Sequence, residues 1–169
     1  LRSFSIEDYK GDIDFFEIFD SKIFIFYFLQ RTETKNDWII IDTLGNLIAK
    51  KERSLPEFSC EWGEPWLTYR YRKNLYYWNP FTDTIFSINS KLNYNSHYII
   101  SPGEHRMPRS KIYSFENYDK YLHVKKLFET DLYHIFIYSY RKPAISLIEK
   151  KNGATFLTFL EGNPSGDGL

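Results

Sequence analysis

The chain has 169 residues, enough for one domain with a sizeable core, and 43% of them are hydrophobic against 26% charged, the mix of a folded rather than a disordered protein. Lysine plus arginine and aspartate plus glutamate number 22 each, so no net field draws the chain to nucleic acid or to an anionic membrane, although the stretch from Leu1 to Asp20 leans acidic. The longest apolar stretch, from Ile23 to Leu29, has the length of a strand and falls short of the roughly 18 residues a membrane helix needs.

Aromatic side chains, 15 Phe, 14 Tyr and 4 Trp, make up 20% of the residues and favour sheet, because they pack well on a pleated surface. Runs of period two bounded by turn residues predict a first set of four strands at 13–19, 23–30, 37–42 and 46–51. The clearest turn of this set is Thr43-Leu44-Gly45-Asn46, since Gly and Asn tolerate the positive φ of a tight hairpin. A second set is predicted at 65–71, 75–79, 84–88 and 92–100, with turns around Lys73, Pro80 and Ser90. A third is predicted at 121–128, 132–140, 144–149 and 155–160.

The first strands of the sets begin about 52 and then about 56 residues apart, the spacing of propeller blades. The expected fold is therefore all-β, a β-propeller segment of three four-stranded antiparallel blades covering 13–51, 65–100 and 121–160. Residues 108–119 read as a short helix or ordered loop between blades, with Pro108 suited to a first helical turn, and 161–169 as a Gly/Pro/Asn linker. A ring needs roughly four or more blades to cover every edge and face, so further blades are expected from the same precursor or from another chain. The lack of an initiator Met and of a signal peptide, with Met107 as the only methionine, likewise predicts a segment of a longer precursor.

Several stretches carry a resemblance: Tyr69-Arg70-Tyr71, Asp83-Thr84-Ile85-Phe86, the loop from Ser101 to Pro108, Leu127-Phe128-Glu129-Thr130-Asp131, and the aromatic strand Phe136 to Tyr140 followed by Lys150-Lys151-Asn152-Gly153. These resemble the six-bladed β-propeller proteins of unknown function that are abundant in Bacteroidetes, over roughly residues 64–169. The resemblance implies a six-bladed ring and an exported or lipid-anchored precursor, in the periplasm or at the cell surface; it implies no activity. Residues 1–55 are assigned to a blade by spacing alone.

The chemistry legible in the sequence is sparse. His97, His105, His123 and His134 form no His-x-His, His-Glu-x-x-His or Cys/His pattern, and Cys60 is alone, so neither a metal site, a cofactor nor an intramolecular disulfide is predicted. His97, His123 and His134 read as structural or surface histidines of their strands. Glu104, His105 and Arg106 form the densest polar triplet, in a Gly/Pro-bounded loop of the kind that carries function. Trp62, Trp66 and Arg70, with Tyr71, open the second set, where Trp and Arg could stack on a sugar ring or hold a carboxylate.

Alternation puts Trp66, Thr68 and Arg70 on one strand face and Leu67, Tyr69 and Tyr71 on the other. No Gly-x-Ser-x-Gly elbow, phosphate loop or dinucleotide fingerprint is present, so no catalytic residue is assigned. The expected function is a non-catalytic binding module for a small molecule, glycan or protein. The alternative is a hydrolase or sugar-lactonase-like enzyme at the propeller mouth, for which Glu17 and Glu64 are the nearest carboxylates.

Overall fold

The computed structural model describes residues 13–20, 22–28, 35–53, 67–79, 82–100, 103–108 and 118–160. These residues form three four-stranded antiparallel sheets, each a meander whose strands pair in chain order. The first sheet holds β1 (Ile13–Asp20), β2 (Ile23–Phe28), β3 (Asn36–Asp42) and β4 (Leu47–Glu52). The second holds β5 (Leu67–Tyr71), β6 (Asn74–Trp78), β7 (Thr84–Ile88) and β8 (Tyr94–Ile99). The third holds β9 (His123–Glu129), β10 (Tyr133–Tyr140), β11 (Lys142–Glu149) and β12 (Thr155–Phe159). The expected strands thus form within a few residues of their predicted bounds. The chain divides into two compact units, Leu1–Trp66 and Leu67–Leu169.

The turns explain the registers. Between β3 and β4 the Asp42 side chain replaces missing backbone partners: its Oδ1 accepts from the amides of Leu44 at 2.8 Å and Asn46 at 2.9 Å. Gly45 takes φ 87°, a conformation open to glycine at no steric cost. Tight β5–β6 and β10–β11 hairpins place Arg72 at φ 55° and Arg141 at φ 58°.

In the first unit, Asn36 through Ile41 of β3 are all buried, and Trp38, Ile39, Ile40 and Ile41 have at most 1% exposure. A strand covered on both faces reads as a continuous apolar run rather than an alternating one, which is what Trp38-Ile39-Ile40-Ile41 is. Phe28, Ile39 and Ile41 cluster on one face with Phe24 and Phe26 beside them. Phe15 stacks on Tyr27 with ring centroids 4.6 Å apart.

In the second unit, the second and third sheets pack together with β5 beside β9. Their shared core includes Leu67, Tyr69, Tyr76 and Trp78 from one sheet and Val124, Leu127 and Phe136 from the other. The alternation expected for β5 holds: Leu67 and Tyr69 are buried while Arg70 is exposed. Burying a side chain of this size contributes about 1.5–3 kcal/mol, so this face is the main cohesion of the unit.

Short 3-10 turns at Gly103–His105 and Tyr118–Lys120 flank the loop predicted around 108–119, of which 109–117 lie outside the described residues. The Leu122 amide donates to the His105 carbonyl at 2.7 Å and the Arg141 amide to that of Asp119 at 3.0 Å, anchoring both turns to the third sheet. The predicted linker at 161–169 is likewise outside the described residues. Among the described residues no helix is long and apolar enough to cross a membrane.

Candidate functional site

A pocket of about 380 Å³ opens beside the core shared by the second and third sheets, a volume within the range of small-molecule sites. Its walls are mostly apolar and aromatic: Tyr98 from β8, Leu122 and Val124 at β9, Phe136 and Tyr138 from β10, and Ile148 from β11. Ser146 and His134 add polar side chains to the lining. The Ser146 position is buried, and burial pushes the Tyr138 phenol above the ordinary tyrosine range.

His134 joins this pocket to a polar cluster centred on Glu129, the last residue of β9, whose side chain is only 3% exposed. Tyr69 donates its hydroxyl to Glu129 Oε2 at 3.0 Å, and His97 Nε2 approaches the same oxygen at 3.2 Å. Lys150 Nζ lies 2.5 Å from the other oxygen, Oε1, and 4.4 Å from the centre of the Tyr71 ring. The carboxyl is thus held from both sheets: Tyr69 and His97 come from the second, Lys150 from the third. Farther out, Tyr71 and Arg72 both bind Asp131, and their hydrogen bonds hold its carboxyl below the usual range.

The aromatic setting fixes the rings. His97 packs 4.6 Å from Tyr76, while His134 packs 4.3 Å from Tyr98 and 6.0 Å from His97. Burial lowers the His134 pKa from its ordinary value, with Glu129 opposing the shift and Lys150 and His97 adding to it. The His134 Nδ1 is buried and has no hydrogen-bond partner among the described residues. Burial, reinforced by Tyr98 and Glu129, raises the Tyr69 phenol far above the usual range, which keeps it a proton donor to Glu129.

Two local features of the sheets assemble the cluster. In the β7–β8 ladder Ile85 pairs with Tyr98 but Phe86 pairs with Ser96, leaving His97 as the extra residue of a bulge. A bulge breaks the alternation, so His97 and Tyr98 can both turn towards the third sheet. In the β9–β10 hairpin Glu129 and His134 are directly paired and share a face. That second relation is readable in Glu129-Thr130-Asp131-Leu132-Tyr133-His134, because a tight hairpin centred on Asp131 sets its ends opposite each other. The bulge has no comparable sequence mark, and spacing rules for metal ligands miss residues 32 positions apart.

The residues singled out from the sequence are distributed differently. Arg106 forms an ion pair with Asp83, while His105 packs 4.6 Å from the Tyr140 ring with its Nε2 4.0 Å from the exposed Glu104 carboxylate. Arg70 lies on the exposed face of β5, opposite the face that carries Tyr69. Trp62 and Trp66, like Glu64, lie outside the described residues. Glu17 sits in β1, paired with Ile25.

No family model and no curated protein matches the chain. Among solved structures, it is similar to a protein of Bacteroides fragilis named as a "putative exported protein", with a TM-score of 0.58 and 15% sequence identity. The match covers 81% of this chain and 43% of the other, so this chain spans less than half of that structure's length. At that identity the likeness is one of fold.

Proposed function

We propose that the chain is a segment of an exported β-propeller that acts as a non-catalytic binding module, with its ligand in the pocket between the second and third sheets. In this reading the three sheets are three blades of a larger ring, six-bladed by the resemblance noted above. The regular meanders, the similarity to a longer Bacteroides protein named as exported, and the bare last strand support it. All five residues of β12 are exposed, including Phe156, Leu157 and Phe159, a surface that a following blade would cover. Light scattering tests this part: the isolated chain should self-associate through that surface, and a stable monomer would contradict it.

The observation that carries the binding role is the pocket lining, a set of aromatic and aliphatic walls that includes His134 and Ser146 as polar groups. The ligand class that fits is a small molecule with an apolar body and one polar end, which the His134 side would receive. The fluorescent probe anilinonaphthalenesulfonate has this character. It should bind saturably to the wild-type chain and lose binding in Ser146→Leu, which fills the pocket, with near-ultraviolet circular dichroism showing both proteins folded. Equal binding by the two would count against the pocket. One observation favours the hydrolase alternative, the convergence of His97, Glu129 and His134 at the rim; turnover of a simple lactone that disappears in His134→Gln would replace the binding reading with it.

A further inference from the structure

We infer that His97, Glu129 and His134 form a site for a divalent transition-metal ion of the zinc class. One ligand atom from each residue lies within 4.8 Å of the other two. Zinc bonds of about 2.0–2.1 Å to nitrogen and oxygen set tetrahedral ligand atoms about 3.3 Å apart. The 3.2 Å between His97 Nε2 and Glu129 Oε2 already matches that edge. The third atom has at most about 1.5 Å to close, within the reach of one imidazole rotation.

The donor chemistry selects the ion. Two imidazoles and one carboxyl suit zinc, nickel or copper, whereas calcium and magnesium require six or more oxygen ligands. Lys150 occupies Glu129 Oε1, so the carboxyl offers Oε2 alone, a single-oxygen ligand. Tyr69 hydrogen-bonds that same oxygen and orients it, as partners behind metal-binding carboxyls do. His134 brings a buried Nδ1 that has no hydrogen-bond partner among the described residues, a ring nitrogen open to a ligand bond. The fourth position would face the pocket that His134 lines. The positive charge of Lys150 opposes a second cation, which places the site in the moderate rather than the tightest affinity range.

Cobalt(II) and zinc titrations of the untagged chain test the site. The expected result is one equivalent of cobalt with the intense visible absorption of a four-coordinate ion, displaced by zinc. His97→Gln and His134→Gln should each weaken binding by more than about 10-fold, since each removes one of three protein ligands, while His105→Gln on the separate loop leaves it unchanged. Glu129→Ala removes the partner of Lys150 and endangers the fold, so the two histidine variants, checked by circular dichroism, carry the test. Absence of saturable binding would overturn the site, as would binding of unchanged affinity in either histidine variant or binding that depends on His105. The metal titration does not involve the probe, so loss of one result leaves the other standing.

Discussion

The Trp38 to Ile41 run of β3 and the interface between the second and third sheets are both well buried, yet they are built differently. The buried strand residues Trp38 to Ile41 are uniformly apolar, so what they contribute depends on volume and fit. The interface has an apolar centre, around Tyr69, Val124 and Phe136, and a polar end where Glu129 gathers Tyr69, His97 and Lys150. Apolar packing is tolerant of direction, whereas each polar group needs a particular partner. The second arrangement therefore fixes how two sheets meet and leaves a place where chemistry can occur.

The contrast is sharpest under substitution. Ile40→Ala, at a position with no exposure, should destabilise the first unit by about 2–5 kcal/mol, read from urea unfolding. Glu129→Ala should destabilise the second unit by about 1–3 kcal/mol, because it leaves the Lys150 ammonium and the Tyr69 hydroxyl without their acceptor. Replacing the pair together, Glu129→Leu with Lys150→Met, should recover most of that loss, since an apolar pair can substitute for a buried ion pair. If the double replacement is as damaging as Glu129→Ala alone, the cost does not come from the orphaned lysine. Tyr69→Phe should cost about 1 kcal/mol, the worth of one hydrogen bond.

The smallest effect belongs to the β3–β4 turn. Hydrogen bonds from Asn46, first from its side chain and then from its backbone, hold the Asp42 carboxyl below its ordinary value of 3.8. A carboxyl whose pKa is lowered on folding contributes stability that is present above the unfolded value and is lost as pH falls through the folded one. Acid titration of the wild-type chain should therefore show a loss of the first unit's stability below about pH 4 that is reduced in Asp42→Asn. Identical acid profiles for the two would remove the turn from the account.

Much of the architecture was legible in the residues. Turn signals such as Gly45, Asn74 and Gly153 bound the strands closely, and the run Trp38 to Ile41 marks a strand without a solvent face. Alternation separated Tyr69 from Arg70 correctly, but a buried aromatic face reads as core, and here that face also carries the hydroxyl that binds Glu129. Polar density drew attention to Glu104-His105-Arg106, where Glu104 lies beside His105 and Arg106 pairs with Asp83. The cluster that does converge depends on a bulge at His97 and on packing between sheets, and neither is encoded in local spacing.

The central claim is that Glu129 joins the second and third sheets through Tyr69. A double-mutant cycle on Tyr69→Phe and Glu129→Ala, followed by urea unfolding, tests it most directly. The account predicts that the two losses are non-additive by at least about 0.5 kcal/mol, because each removes the same hydrogen bond. Losses that add to within about 0.3 kcal/mol would mean that the two residues do not meet and that the interface is assembled in another way.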